Sequence, residues 1–212
     1  MDRFSQLEFG EHLPREGSHG EQIRDADYFI KEAMRYWLSG DYELGLRNYS
    51  RALEKNSAVF QAWVGQVLML IELEEYPEAQ LWADKALELF PEHPELLAVK
   101  AVACSRDSNM EKAIAYSDNS ITKDNLTARV WLGRAEVLLK RKSAVAENCI
   151  SKAIAISGKM VPVVKLESGR LLRKKGCYSA AISVLNDVVR VLPKSALAWY
   201  ELGCCQAKLG RG

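Results

Sequence analysis

Trp63, Trp131 and Trp199 stand 68 residues apart, which is twice 34. Tyr42 and Tyr76 are separated by 34, as are Ala52 and Ala86, and Tyr178 follows Tyr76 after three such intervals. Gly176 and Gly210 are one interval apart, Gly40 lies four intervals before Gly176, and Pro91 and Pro193 are three apart. Unrelated residue types that share one period mark an internal repeat, and a repeat of this length is one supersecondary unit. The 212 residues are therefore a series of near-equivalent units, a stronger constraint than length alone supplies.

Within one period the pattern is two helices. In Ala58 to Pro94, Trp63, Val67 and Leu70 recur at helical spacing, a turn surrounds Glu74 and Glu75, and Ala79, Ala83, Ala86 and Leu87 form a second stripe that Pro91 stops. The eighth place of each period holds Ala33, Val67, Ala101, Ala135, Gly169 and Gly203; the twentieth holds Gly45, Ala79, Ala113 and Ala181. Small side chains at these places let paired helices approach closely. Such a hairpin cannot bury its apolar face alone, and stacking the hairpins makes one continuous core. The fold class that follows is all-α.

These residues resemble the tetratricopeptide repeat family. That family's pattern has a large residue at position four, small ones at eight, twenty and twenty-seven, an aromatic or aliphatic residue at twenty-four and proline at thirty-two. Repeat one carries Phe29, Ala33, Gly45, Tyr49 and Ala52 there; repeat two carries Trp63, Ala79, Ala86 and Pro91; repeat five carries Gly169, Ala181 and Pro193. The resemblance implies a right-handed superhelical solenoid of about five antiparallel hairpins, over 26–59, 60–93, 94–127, 128–161 and 162–195, with a terminal helix over 196–210. Residues 1–20 read as a tail ahead of this 21–212 domain, and Ser18 with Glu21 as a capping box. Repeat three departs from the pattern, with Ser117 at position twenty-four and no closing proline. Repeat four has its second helix one residue early, so that Ala153 stands where residue 154 is expected. A tight turn near Lys142 and Ser143 and a looser joint at Gly158 to Pro162 would absorb the slip, with local distortion of the superhelix.

The chain offers little to a catalyst. His12, His19 and His93 have no cysteine or carboxylate at metal-ligand spacing, and no phosphate-binding loop or nucleophile elbow is present, so neither an enzyme nor a metal or other cofactor is expected. Twenty-nine basic and 28 acidic residues leave a net charge of +1, and the one dense basic run, Arg170 to Lys175, closes a helix, so nucleic acid is not an expected partner. The longest charge-free stretch, Asn56 to Ile71, falls short of the ~20 residues that span a bilayer. Membrane insertion is not expected, and five scattered cysteines without a CxxC fit a reducing, cytoplasmic setting.

The resemblance implies instead a non-catalytic scaffold or adaptor that binds a protein or peptide. In that family the first helix of each repeat lines a concave groove. Carried over, the groove takes Ile30, Met34 and Trp37 from repeat one, Val64, Leu68 and Ile71 from repeat two, Val99 and Val102 from repeat three, Arg129, Leu132 and Glu136 from repeat four, and Arg170 and Arg173 from repeat five. Its first half is apolar and its second half charged. The carboxylate clamp of the chaperone-adaptor members is absent, because Ile30, Met34, Gly65, Glu95 and Val99 occupy its places. Three readings of the apolar half remain open: a partner segment, the chain's own tail with Phe4, Leu7, Phe9 and Leu13, or burial as ordinary core by tight coiling. Two other roles stay beside the adaptor: a chaperone for a hydrophobic secretion substrate, and a self-assembling structural unit. The terminal helix, with Leu197, Trp199, Tyr200, Cys204 and Cys205, is too apolar for a cap. It implies either a longer array or self-association through that helix.

Overall fold

The structure, a computed structural model, describes residues 24–139 and 144–210. The tail with its Ser18–Glu21 box and the turn at Lys142 and Ser143 lie outside the described residues. Among those described, the secondary structure is eleven α-helices and one 3-10 turn. They are α1 (Ala26–Ser39), α2 (Tyr42–Lys55), α3 (Phe60–Glu72), α4 (Tyr76–Leu89), α5 (Pro94–Arg106), α6 (Met110–Ile121), α7 (Ala128–Leu139), α8 (Val145–Ile156), α9 (Val161–Lys175), α10 (Tyr178–Val191) and α11 (Ala196–Lys208). The protein is an all-α solenoid.

Local chemistry sets the helix ends. Asp25, Asp41, Asn109 and Ser195 accept hydrogen bonds from backbone N–H groups three residues on, satisfying donors that the first helical turn leaves unpaired. Between the helices of a hairpin the chain reverses through one left-handed residue. Gly40, Glu74, Ser108, Gly176 and Gly210 occupy this register with φ of 81°, 64°, 64°, 85° and 66°. The following N–H then reaches back to the penultimate turn, as in Asp41 N to Tyr36 O at 2.9 Å and Cys177 N to Leu172 O at 2.9 Å. Glu74 and Ser108 hold the same conformation with a Cβ that disfavours it. Glu74→Gly and Ser108→Gly should each raise stability by roughly 0.5–1 kcal/mol, the relief of strain exceeding the added unfolded-state entropy. Urea midpoints measure this, and an unchanged or lower midpoint counts against it.

The odd-numbered helices touch in the order α1, α3, α5, α7, α9, α11, whereas the even-numbered ones stay apart on the outside. Ala33, Ala52, Ala79, Ala86, Ala113, Ala135 and Ala181 are fully buried between the layers, where only a methyl group fits. Repeat three replaces the usual aromatic with a polar seam: Arg134 donates to Ser117 Oγ at 3.2 Å and to Asp118 Oδ1 at 2.6 Å, so both hydroxyl and guanidinium are satisfied where an apolar side chain would stand. In α8, Ala153 is fully buried and Ile154 only half-buried. The joint after α8 is a 3-10 turn over Gly158–Met160, with Gly158 at φ 52°. The curvature is tight enough that α11 returns to touch α1. There Ser195 Oγ, while capping α11, donates to Leu38 O at 2.9 Å.

Candidate functional site

The six odd-numbered helices make an inner ring, closed where α11 meets α1. Each side chain read from the sequence as lining the groove lies at least half-buried. Trp37, Val64, Ile71, Val99, Val102 and Leu132 are buried; Ile30, Met34, Leu68, Arg129, Glu136, Arg170 and Arg173 are half-buried. Leu68, Ile71, Val99, Val102, Leu132, Arg129, Glu136 and Arg170 converge on one small cavity, together with Glu72, Gly133, Glu167, Leu171 and Lys174. Ile30, Met34, Trp37, Val64 and Arg173 do not border it. The cavity holds about 40 Å³, room for a water molecule and not for a peptide.

Ion pairs cross the charged half of the ring. Arg170 on α9 grips Glu72 on α3 with two hydrogen bonds of 2.7 Å, although 98 residues separate them. Its Nε also reaches Glu201 on α11 at 3.2 Å, and Arg173 donates to the other oxygen of Glu201. Arg129 on α7 holds Glu167 on α9, with one bond of 2.6 Å. Glu136 takes Arg106 at 2.6 Å and Lys174 at 3.3 Å. Five cations thus face four carboxylates. Glu201 is only 2% exposed, and both of its carboxylate oxygens accept hydrogen bonds from guanidinium groups.

The surroundings shift several of these groups. Burial pushes Glu72 up, but the hydrogen bonds and charge of Arg170, with Lys174 behind it, outweigh burial and hold the carboxyl below its ordinary value. Glu136 is likewise lowered, burial being overcome by Lys174 and Arg106. Lys174 is lowered by burial, assisted by the charges of Arg106 and Arg170 and opposed by Glu136. Arg170, Arg106 and Arg129 are raised, because their carboxylate partners overcome the cost of burial.

Glu72 and Glu201 were missed as site residues in reading the sequence. They hold the thirteenth and sixth positions of their repeats, the same register as Lys174 and Glu167 in repeat five. Among the described residues, no group of three or more His, Cys, Asp or Glu is arranged to hold a metal ion. None of the described helices is long and apolar enough to cross a membrane.

A family model described as tetratricopeptide repeat matches residues 30–94 and 166–212, together just over half of the chain. The chain belongs to the tetratricopeptide repeat family. The unmatched stretch holds repeats three and four, where Ser117 and the shifted Ala153 break the pattern. Solved structures agree on the fold. A thermophilic tetratricopeptide repeat protein of Thermus thermophilus is similar with a TM-score of 0.61 at 16% identity, over 86% of this chain and 99% of that one. Human IFIT1, solved as a dimer with m7Gppp-AAAA, gives 0.63 at 14% identity, over 88% of this chain and 46% of that one. PilW, a type IV pilus biogenesis factor, gives 0.50 at 17%, over 91% and 96%. As a member of this family the protein is an interaction scaffold in general terms, of a kind that is generally non-catalytic.

Proposed function

We propose that this protein is a non-catalytic scaffold whose inner face takes an extended partner segment when the ring opens between α1 and α11. The observation that carries the reading is the pairing of Arg170 with Glu72 across the ring, beside the apolar patch of Leu68, Val99, Val102 and Leu132. A partner segment with an acidic residue next to apolar ones would replace Glu72 at Arg170 and cover the patch. Rigid helical walls lose little conformational entropy on binding, which favours such capture. The free energy of opening lowers the apparent affinity to the intrinsic affinity multiplied by the open fraction. The closure itself fits the reading: one hydroxyl–carbonyl bond, one bidentate pair and a helix contact hold it.

The test is affinity capture from a lysate of the source organism with the wild type, Leu68→Glu and Glu72→Gln. Support would be one protein captured by the wild type, captured more strongly by Glu72→Gln, and lost with Leu68→Glu. Equal capture by all three would overturn the inner-face reading and move the interface to the outer helices.

A further inference from the structure

Lys174, in the last turn of α9, makes the longest ion pair of the inner ring. Its Nζ lies 3.3 Å from Glu136 Oε1, and Arg106 donates to that same oxygen through Nε at 2.6 Å and through Nη2. Elsewhere Lys123 and Lys165 reach their carboxylates at 2.9 and 2.6 Å. The other carboxylates of the ring are held by guanidiniums: Glu72 by Arg170, Glu167 by Arg129, and Glu201 by Arg170 and Arg173. Lys174 is thus the fifth cation of a set with four carboxylates.

Its surroundings make the ammonium form costly. Lys174 borders the small cavity, whose lining includes Ile71, Val99, Val102, Leu132 and Leu171. Apolar walls strip hydration from an ammonium, and neighbouring cations disfavour it further. Arg106 on α5 and Arg170 on α9 are those cations, opposed by Glu136 on α7 and Glu72 on α3. Burial and the two guanidiniums prevail, so the amine lies below its ordinary value although the carbonyl end of α9 favours a cation. A lysine that is desolvated or set beside other cations is an activated nucleophile. The side chain is 31% exposed, shielded enough to lose hydration and open enough to be reached.

We infer that Lys174 is an acyl-acceptor site, its ε-amine taking a short acyl group from an activated donor, an acyl thioester or an acyl phosphate. The neutral amine attacks the donor carbonyl. A C–N bond forms, the C–S or C–O bond breaks, and thiolate or phosphate leaves with the electron pair while the amine proton passes to water. Nothing is oxidised or reduced. The cavity of about 40 Å³ beside the amine limits the acyl group to a short one. The product amide is uncharged, so four guanidiniums then face four carboxylates and Glu136 keeps Arg106. The modification needs no opening of the ring and is independent of the partner-segment reading above.

The test incubates the full chain with acetyl phosphate and, separately, with acetyl-coenzyme A, and follows each lysine by peptide mapping. With at least one donor, Lys174 should be acetylated roughly fivefold or more faster than the exposed Lys31 and Lys208, and the donor that achieves this names the source. In guanidinium chloride that excess should vanish, because it belongs to the folded surroundings. The rate at Lys174 should also level off at a lower pH in the native protein than in the denatured one. Glu136→Gln removes the carboxylate nearest the amine and should raise the rate at Lys174 further. Should that variant fold poorly, the comparison of native and denatured wild type decides. A Lys174 rate no higher than that of Lys31 and Lys208 with both donors, or an excess that persists in guanidinium chloride, would overturn the proposal.

Discussion

Arg170→Leu lowers the free energy of unfolding by about 3–5 kcal/mol at neutral pH, the cost of leaving a buried charge without its partner. Arg170 is the one side chain that joins α9 to both α3 and α11. Its side chain is 12% exposed and those of Glu72 and Glu201 are 19% and 2% exposed, so solvent screens these pairs little. Glu201 keeps Arg173, whereas Glu72 loses its only guanidinium partner. The pH dependence separates this cause from simple loss of packing. In the wild type Glu72 and Glu136 lie below their ordinary value of 4.5. The unfolded chain therefore binds more protons than the folded one near that pH. The stability these groups add is present above about pH 4.5 and is lost as pH falls through their folded values. Removing Arg170 reverses the sign for Glu72, because burial then dominates and raises it. The folded variant takes up a proton first, so its deficit relative to wild type should shrink between pH 7 and pH 5. Chemical denaturation at both pH values measures this; an equal deficit would show that packing, not the buried carboxylate, is responsible.

Gly65→Ala is expected to cost roughly 2–4 kcal/mol, although alanine is the better helix former by about 1 kcal/mol. Gly65 lies in α3, and a Cβ there would come within 2.2 Å of Cε1 and Cζ of the Tyr49 ring from α2. The ring has nowhere to go: Tyr49 is 4% exposed, and burial pushes its hydroxyl up to about 12. Repeat one carries the large aromatic and repeat two supplies the hole that receives it. Combining Gly65→Ala with Tyr49→Leu should recover part of the loss, because the two sites share one volume. Thermal melts of the four proteins of this cycle measure the coupling. Strictly additive losses would mean that the alanine is accommodated by backbone movement and not against Tyr49.

The apolar half of the interior was legible because its residues recur in register with the tryptophans, and register needs only counting. The charged half was legible as a list, with Arg129, Glu136, Arg170 and Arg173 on the right helices, but not as pairs. Arg170 and Glu72 are 98 residues apart, and no spacing rule joins residues so distant. The left-handed turn positions show the same division. Gly40, Gly176 and Gly210 announce themselves by residue type, whereas Glu74 and Ser108 adopt the same conformation because the hairpins on either side compel it.

The sequence by itself determined that this chain is a stack of helical hairpins. A 34-residue period in apolar, small and turn residues is a local, repeating instruction, and each unit must bury its face against the next. Only the tertiary structure decided how far the stack curves. A small rotation at each joint, including the 3-10 turn after α8, accumulates over six inner helices until α11 meets α1. That sum turns an open concave surface into a ring with a 40 Å³ cavity.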